Sequence, residues 1–347
     1  MTKILNIKSF LKYNYFLEII ILLILVGIIL NPQLIRESVI QTASLWYFQF
    51  FSLMFVYFIF SELFAKSRFG YLCAKIICYP FTYILRLNTY EKKIIFMNSL
   101  LSGSPGVMGL ISKFYDEGRL NKDEATYLTS ITALINPLFF VSALTTFAGF
   151  QIALIIYLAI VIANIILGCF CFPKIKFLKN EQNPEIGLNT NDLLKSIERY
   201  VIILVNILGV MIVINLIISF IIHYQLLAFL PADFSQFLLS LLEIVRGITT
   251  MKELGNNPTT FLLITFLGSF LGIGIHLQIK LLGHRFIVYS DFLFYKLLHA
   301  SLSMMLAYLL LARFTGFFLV DIRIIGIMLV FIPFLTFFLI KKKEAKS

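Results

Sequence analysis

The sequence predicts an all-α polytopic membrane protein with about eight transmembrane helices plus two re-entrant hairpins in an inverted repeat. Of its 347 residues 60% are hydrophobic and 14% are charged, and the mean hydropathy of +0.93 is far above that of soluble domains. Residues 38–61, 125–173, 200–232 and 254–279 contain no Asp, Glu, Lys or Arg. Lys and Arg flank these apolar runs, as they do in the cytoplasmic loops of membrane proteins. We therefore interpret the net charge of +11 as a result of membrane topology and expect no nucleic-acid partner.

Eight apolar segments are long enough to cross a bilayer, because roughly 30 Å of hydrocarbon requires about 20 helical residues. The predicted spans are residues 12–30, 42–64, 125–148, 150–172, 200–222, 258–280, 292–312 and 318–340. The first span follows three lysines, as a signal peptide does, but no small-x-small cleavage site follows it. We therefore expect it to be retained.

The distribution of basic residues predicts that both termini are cytoplasmic. With eight crossings, most of the 29 Lys and Arg residues fall on the side of the termini, and cytoplasmic loops carry such an excess. The residues left for the other side are Arg36, Arg246, Lys252, Arg313 and Arg323, while Lys296 falls within a span.

Three further apolar segments do not fit this count. Full crossings at residues 94–111 and 234–251 would scramble the charge bias, so we expect each to be a re-entrant hairpin that enters and leaves on one side. Residues 69–85 contain Pro80 and are flanked by basic residues. This segment is expected to be an interfacial or short re-entrant helix.

The two hairpins share a plan. Each begins with a leucine-rich arm, turns at residues 102–106 or 246–250, and continues through a short polar connection into an interrupted span. The first span is interrupted near Asn136 and Pro137, and the second at its glycines, including Gly272 and Gly274. Paired, interrupted segments in opposite orientation indicate a transporter site near the bilayer midplane. Proline and glycine free backbone groups for a ligand there, although glycines at this spacing also serve helix packing.

Polar residues of these segments form the predicted site. Glu243 and Arg246 lie three apart, so they form either a structural ion pair on one helical face or a carboxylate-binding fork. His276 is either a proton or substrate ligand or a packing residue, and Lys296 is expected to snorkel. The predicted substrate-binding residues are Ser102, Gly103, Ser104, Pro105, Gly106, Asn136, Pro137, Glu243, Arg246, Gly247, Thr249, Thr250, Gly272, Gly274, His276 and Gln278.

Enzymatic function is not expected. The sequence has no HExxH, GxSxG or GxxxxGK motif and no clustered pair of aspartates. No catalytic residue, metal ligand or cofactor is predicted.

Two stretches resemble the sporulation integral membrane proteins of the YlbJ type, which carry the nucleoside recognition or Gate domain. They are SGSPGVMGLISKFYDEGRLNKDEATYLTSITALINPLFF at residues 102–140 and LLEIVRGITTMKELG at residues 241–255, the latter followed by GSFLGIGIHLQIKLLG and YKLLHASL. The resemblance implies a transporter related to nucleoside carriers, involved in endospore formation and in the movement of dipicolinate. It also implies roles for matching residues: Ser102, Gly103, Pro105 and Gly106 at the first hairpin tip, Asn136 and Pro137 at the first break, Glu243 and Gly247 in the second hairpin, and Gly272, Gly274, His276 and Gln278 at the second break.

Together these features predict five regions: N-terminal spans and an interfacial helix (1–90), a first Gate-like repeat (91–172), a cytoplasmic linker (173–198), a second Gate-like repeat (199–290), and C-terminal spans with a basic tail (291–347). The expected function is transport of a small organic anion across the cell membrane, which is the mother-cell or outer forespore membrane in a spore former. A nucleoside carrier and a non-transporting scaffold for spore-envelope assembly remain alternatives. The expected partners are the substrate and the lipid bilayer, and a homo-oligomer is left open.

Overall fold

The computed structural model describes residues 15–170 and 187–315, and all regular secondary structure within these ranges is helical. The predicted span at residues 318–340, the beginning of the span at 12–30 and most of the linker at 173–198 lie outside the described residues. The all-α class is confirmed for the described part of the chain.

The N-terminal region forms four helices. Helix α1 (Tyr15–Leu30) ends before Asn31, and α2 (Pro32–Leu45) begins with a proline, which has no amide hydrogen to leave unsatisfied. A π-helical segment (Trp46–Phe51) joins α2 to α3 (Ser52–Lys66), so the predicted span 42–64 is part of one longer helical run. Helix α4 (Arg68–Cys78) exposes Phe69 and Ile76, a pattern typical of a helix at a membrane surface.

The next region contains a helical hairpin, an interrupted helix and a long apolar helix. The hairpin consists of α5 (Tyr90–Ser102) and α6 (Met108–Asp116), and the interrupted helix of α7 (Lys122–Thr132) and α8 (Pro137–Ala148). Helix α9 (Phe150–Phe170) follows directly.

The same order recurs after α10 (Thr190–His223). A hairpin of α11 (Ala232–Leu242) and α12 (Ile244–Met251) precedes an interrupted helix of α13 (Pro258–Phe270) and α14 (Gly272–Gly283), and α15 (Tyr289–Thr315) completes the described chain. Asparagine caps both interrupted helices: Asn121 Oδ1 accepts from the Glu124 amide at 2.8 Å, and Asn257 Oδ1 accepts from the Thr260 amide at 3.0 Å.

Within the described residues, five helical segments are long and apolar enough to cross a membrane: Lys122–Ala148, Phe150–Phe170, Asn191–His223, Pro258–Gly283 and Tyr289–Phe314. They coincide with five of the predicted spans. The four hairpin helices have 13, 9, 11 and 8 residues, so each is too short to cross as a single helix.

The interrupted helices lie in the interior. Helix α9 packs against α8 and α15, while α15 packs against α13 and α7, and α10 covers α2 and α3. Apolar side chains such as Leu154, Leu158 and Val205 point outward from α9 and α10. This arrangement places the two helix breaks among buried neighbours, where lipid does not reach.

Candidate functional site

The first helix break spans Ala133 to Asn136, where the predicted interruption lies. Asn136 caps α8, because its Oδ1 accepts from the Phe139 amide at 3.0 Å. Pro137 is the first residue of α8 and has no amide hydrogen to satisfy. The break therefore follows directly from the Asn-Pro pair, as the sequence predicts.

The tip of the first hairpin is bound to this break. The Asn136 Nδ2 group donates to the Ser102 carbonyl at 2.8 Å, and the Ser104 amide donates to the Leu134 carbonyl at 2.6 Å. Gly103 has φ +64°, and a Cβ atom there would lie 2.7 Å from the Asn136 Cα. Only glycine fits this approach of one backbone to another.

The remaining polar atoms of this hairpin fall into two groups. The Ser102 hydroxyl donates to the Asn98 carbonyl at 2.9 Å, so it closes its own helix. The Ser104 hydroxyl and both side-chain amide atoms of Asn98 are buried without a hydrogen-bond partner within the described part of the chain. Buried polar groups are normally hydrogen-bonded, so a water molecule, an ion or a ligand would be needed to supply the missing bonds here. Asn98 was not predicted, although an asparagine within an apolar arm is a detectable signal.

Pro105 and Gly106 complete the predicted tip, and both are buried. A Cβ atom at Gly106 would lie 2.8 Å from the Phe58 ring. Gly106 therefore lets the tip pack closely against α3.

The second break centres on Leu271, which adopts the left-handed conformation with φ +80° between α13 and α14. Gly272 also has a positive φ, of +66°. Cβ atoms at Gly272 and Gly274 would lie 3.2 Å from the Leu241 carbonyl oxygen and 3.4 Å from the Leu242 carbonyl oxygen. The second hairpin therefore also packs against the break of its own region, here with the glycines on the broken helix.

The turn of the second hairpin lies at Glu243, so the prediction of a turn at residues 246–250 is wrong. Glu243 is extended, with φ −134°, and its carboxylate accepts from the amides of Val245 at 3.1 Å and Arg246 at 2.6 Å. Of the two alternatives for Glu243 and Arg246, the structural ion pair on one helical face is wrong, because Glu243 caps α12 from outside the helix.

Three other predicted residues serve the second hairpin itself. A Cβ atom at Gly247 would lie 2.6 Å from the Ser240 Cβ, so this glycine lets α11 and α12 touch. The hydroxyls of Thr249 and Thr250 donate to the Arg246 carbonyl at 2.6 and 3.1 Å. Their donor hydrogens are thus used within α12.

Arg246 is half-buried, and no carboxylate among the described residues lies within ion-pair distance of its guanidinium. The nearby Glu243 carboxylate interacts electrostatically with Arg246 but forms no ion pair with it, so the guanidinium retains its capacity to bind a carboxylate by two parallel hydrogen bonds. Of the predicted polar residues in this hairpin, Arg246 is the one whose side chain remains suited to an anion.

His276 has both ring nitrogens occupied. Its Nε2 lies 2.7 Å from the Phe270 carbonyl oxygen, and its Nδ1 lies 3.0 Å from the Tyr289 hydroxyl. The ring also stacks on Phe270 with centroids 4.5 Å apart. These contacts favour the packing interpretation of His276. Gln278, two residues further along α14, is also buried.

A buried basic pair that the sequence interpretation missed joins the two breaks. Lys296 and His299 of α15 are both fully buried, whereas Lys296 was expected to snorkel. The Lys296 ammonium donates to the Ala133 carbonyl at the first break and lies 3.3 Å from His299 Nδ1. His299 Nδ1 in turn lies 3.2 Å from the Ser269 carbonyl oxygen next to the second break.

A cleft of about 410 Å³ opens between α6, α10 and α14. Ser112, Lys113, Asp116 and Arg199 contribute its polar lining. Burial lowers the pKa of Lys113 from its ordinary value, and the like charge of Lys66 adds to this effect. The cleft therefore offers charged groups of both signs beside the second arm of the first hairpin.

Comparison of the chain with family models, with curated proteins and with solved structures finds no match.

Proposed function

We propose that the protein is a membrane transporter of a small organic anion similar to dipicolinate. One observation carries this proposal: each interrupted helix is contacted at its break by the tip of a helical hairpin. Freed backbone groups at such breaks bind substrates and coupling ions in transporters. A hairpin that holds the break can also act as a gate, because its short arms are joined to the rest of the chain by turns.

The repeated order of elements supports an inverted repeat with re-entrant hairpins. Both halves present a hairpin, an asparagine-capped interrupted helix and a long apolar helix, and the two long helices α9 and α15 pack together. The positive-inside distribution of Lys and Arg supports the part of this proposal in which the two hairpins enter from opposite sides of the membrane and both termini are cytoplasmic. We also propose the eight spans and the five regions that the sequence predicts.

An anionic substrate is favoured over a nucleoside by the charges near the breaks. The guanidinium of Arg246 and the ammonium of Lys296 have no carboxylate partner among the described residues. The amino-terminal ends of α8 and α14 add positive potential at the breaks. The Asn98 amide and the Ser104 hydroxyl supply hydrogen bonds that an aromatic dicarboxylate would use. The resemblance to sporulation membrane proteins supports dipicolinate and a membrane around the forespore.

Transport in liposomes tests this proposal. The purified chain should exchange labelled dipicolinate across the bilayer, with excess unlabelled dipicolinate competing better than uridine. Arg246→Ala should abolish the exchange, whereas Lys252→Ala, which removes an exposed cation from the next turn, should leave it intact. Equal exchange by the Arg246 variant rules out its role, and better competition by uridine assigns a nucleoside substrate.

A non-transporting scaffold is the second candidate, and close packing of the hairpin tips favours it. The backbone of Gly103 touches that of Asn136, and the described cleft lies between α6, α10 and α14 instead of between the hairpins. In a transporter this packing is the closed state of the gates. A cysteine placed at Ser104 separates the two candidates: its labelling should change with dipicolinate in a transporter and stay constant in a scaffold.

A further inference from the structure

Three backbone carbonyls from three different helices converge on the Lys296–His299 pair. The Lys296 ammonium binds the Ala133 carbonyl of α7, while His299 lies 3.2 Å from the Ser269 carbonyl oxygen of α13 and 2.8 Å from the Ile160 carbonyl oxygen of α9. Ala133 and Ser269 belong to the carboxyl-terminal ends of the half-helices that run into the breaks. Such ends carry partial negative charge and attract cations.

The hydrogen-bond chemistry of this cluster determines which of its nitrogen atoms carry hydrogens. A carbonyl oxygen only accepts, so His299 Nε2 must carry the hydrogen that it donates to Ile160. In a neutral ring Nδ1 then bears a lone pair, which accepts from the Lys296 ammonium at 3.3 Å. The Ser269 oxygen, 3.2 Å from the same Nδ1, faces that lone pair without receiving a hydrogen.

Moving one proton reverses this pattern. If a proton moves from Lys296 Nζ to His299 Nδ1, the products are a neutral amine and an imidazolium. The new Nδ1–H then donates to the Ser269 oxygen at the second break, while the amine still donates to Ala133 at the first. The two proton positions therefore favour contacts with different helix breaks.

We propose that Lys296 and His299 share one transferable proton between the two helix breaks, and that this proton is the coupling ion of the transport cycle. The coupling role rests on the proposed transport function. In this arrangement the lysine ammonium occupies the place where carbonyls at a helix break would hold a metal cation. Release of the proton removes the charge that holds the carboxyl-terminal half-helix ends together, so it loosens the breaks.

The surroundings of the pair leave it without an acidic counterion. Helices α7, α9 and α13 pack against α15, and they present to the pair the carbonyls described above. Asn164 of α9 binds the Tyr295 hydroxyl on α15 itself. His276 of α14 is a further ionisable group that interacts with Lys296 electrostatically. No carboxylate within the described ranges forms an ion pair with Lys296.

Nuclear magnetic resonance of 15N-histidine-labelled protein tests the shared proton without requiring transport. The chain has four histidines, so His299→Gln assigns the His299 signals. We expect the His299 Nε2 signal to be that of a protonated nitrogen, and we expect the Nδ1 signal to shift in both Lys296→Met and Lys296→Arg. The arginine variant retains a fixed positive charge and is included in case Lys296→Met does not fold. Lys195→Met, at an exposed lysine of α10, should cause no shift. Spectra are recorded over a series of pH values. Identical His299 signals in the wild type and both Lys296 variants at every pH overturn the proposal of a shared proton.

Liposomes with a trapped pH indicator test the coupling. A gradient of labelled dipicolinate should move protons in the wild type and in Lys195→Met, and both Lys296 variants and His299→Gln should lose proton movement. Dipicolinate exchange by the wild type without proton movement overturns the coupling and leaves the transport function standing. Absence of any exchange overturns the transport function and the coupling with it, while the histidine signals still decide the shared proton.

Discussion

The side-chain amide of Asn136 at the first helix break donates a hydrogen bond to the backbone carbonyl of Ser102 at the hairpin tip, with 2.8 Å between the two atoms. The same asparagine caps α8 through its Oδ1. One side chain thus ends the interruption of the helix and holds the hairpin against it. Movement of the tip must break this hydrogen bond or carry the break along.

Gly103→Ala is expected to detach the first hairpin tip. At φ +64° and ψ −168° the Gly103 backbone lies in a region that is essentially restricted to glycine, where a side chain costs about 1–3 kcal/mol, and contact with the Asn136 backbone adds about 1–3 kcal/mol. Gly118→Ala is the matched control, because Gly118 has a similar φ of +70° and open space around its Cβ position. Thermal unfolding in detergent should show the larger loss of stability at Gly103. Equal losses at the two positions contradict the contact.

Ser104→Ala is expected to separate stability from binding. The buried hydroxyl has no hydrogen-bond partner among the residues that the structure describes, so its removal should leave the thermal midpoint unchanged or raise it. If the hydroxyl binds substrate, the dissociation constant for dipicolinate should rise by an amount equivalent to about 0.5–1.5 kcal/mol.

The control for Ser104 is Ser130→Ala, at a buried serine whose hydroxyl donates to the Thr126 carbonyl at 2.8 Å. This variant should lower the thermal midpoint and leave the dissociation constant unchanged. An unaltered dissociation constant in Ser104→Ala would show that its hydroxyl faces no substrate.

Glu62→Gln is expected to weaken the packing of α3 on α10. The fully buried Glu62 carboxylate accepts from Lys66 at 2.7 Å and from Arg199 of α10. Loss of one partner of a buried ion pair costs about 3–5 kcal/mol. We expect the lower end of this range, because Lys66 and Arg199 remain 11% and 23% exposed and regain some hydration.

The matched control is Glu117→Gln, at a pair with Lys113 that spans 3.7 Å and is much more accessible to water, with the two side chains 41% and 30% exposed. Exposed pairs contribute about 0–1 kcal/mol, so this variant should unfold at nearly the wild-type temperature. A similar shift for both glutamines would mean that Glu62 is hydrated in the membrane.

Local chemistry accounts for what could be predicted of the site. The first break follows from Asn136 and Pro137, since a missing amide hydrogen and a capping side chain act within one helical turn. The second hairpin turn could not be found in this way. Glycine and threonines at residues 247–250 suggested a turn, but Gly247 is required by contact with Ser240, and Glu243 caps the helix that contains it.

By itself the sequence determined the apolar, all-helical class, the five apolar segments that form helices long enough to cross a membrane in the described residues, and the positions of both helix breaks. These properties depend on hydrophobicity and backbone chemistry, which act over short segments of chain. Tertiary structure alone decided that Lys296 is buried and bound to Ala133, 163 residues away. A lysine near the end of an apolar helix can either reach water or bind a freed carbonyl, and the outcome depends on which distant helix packs beside it.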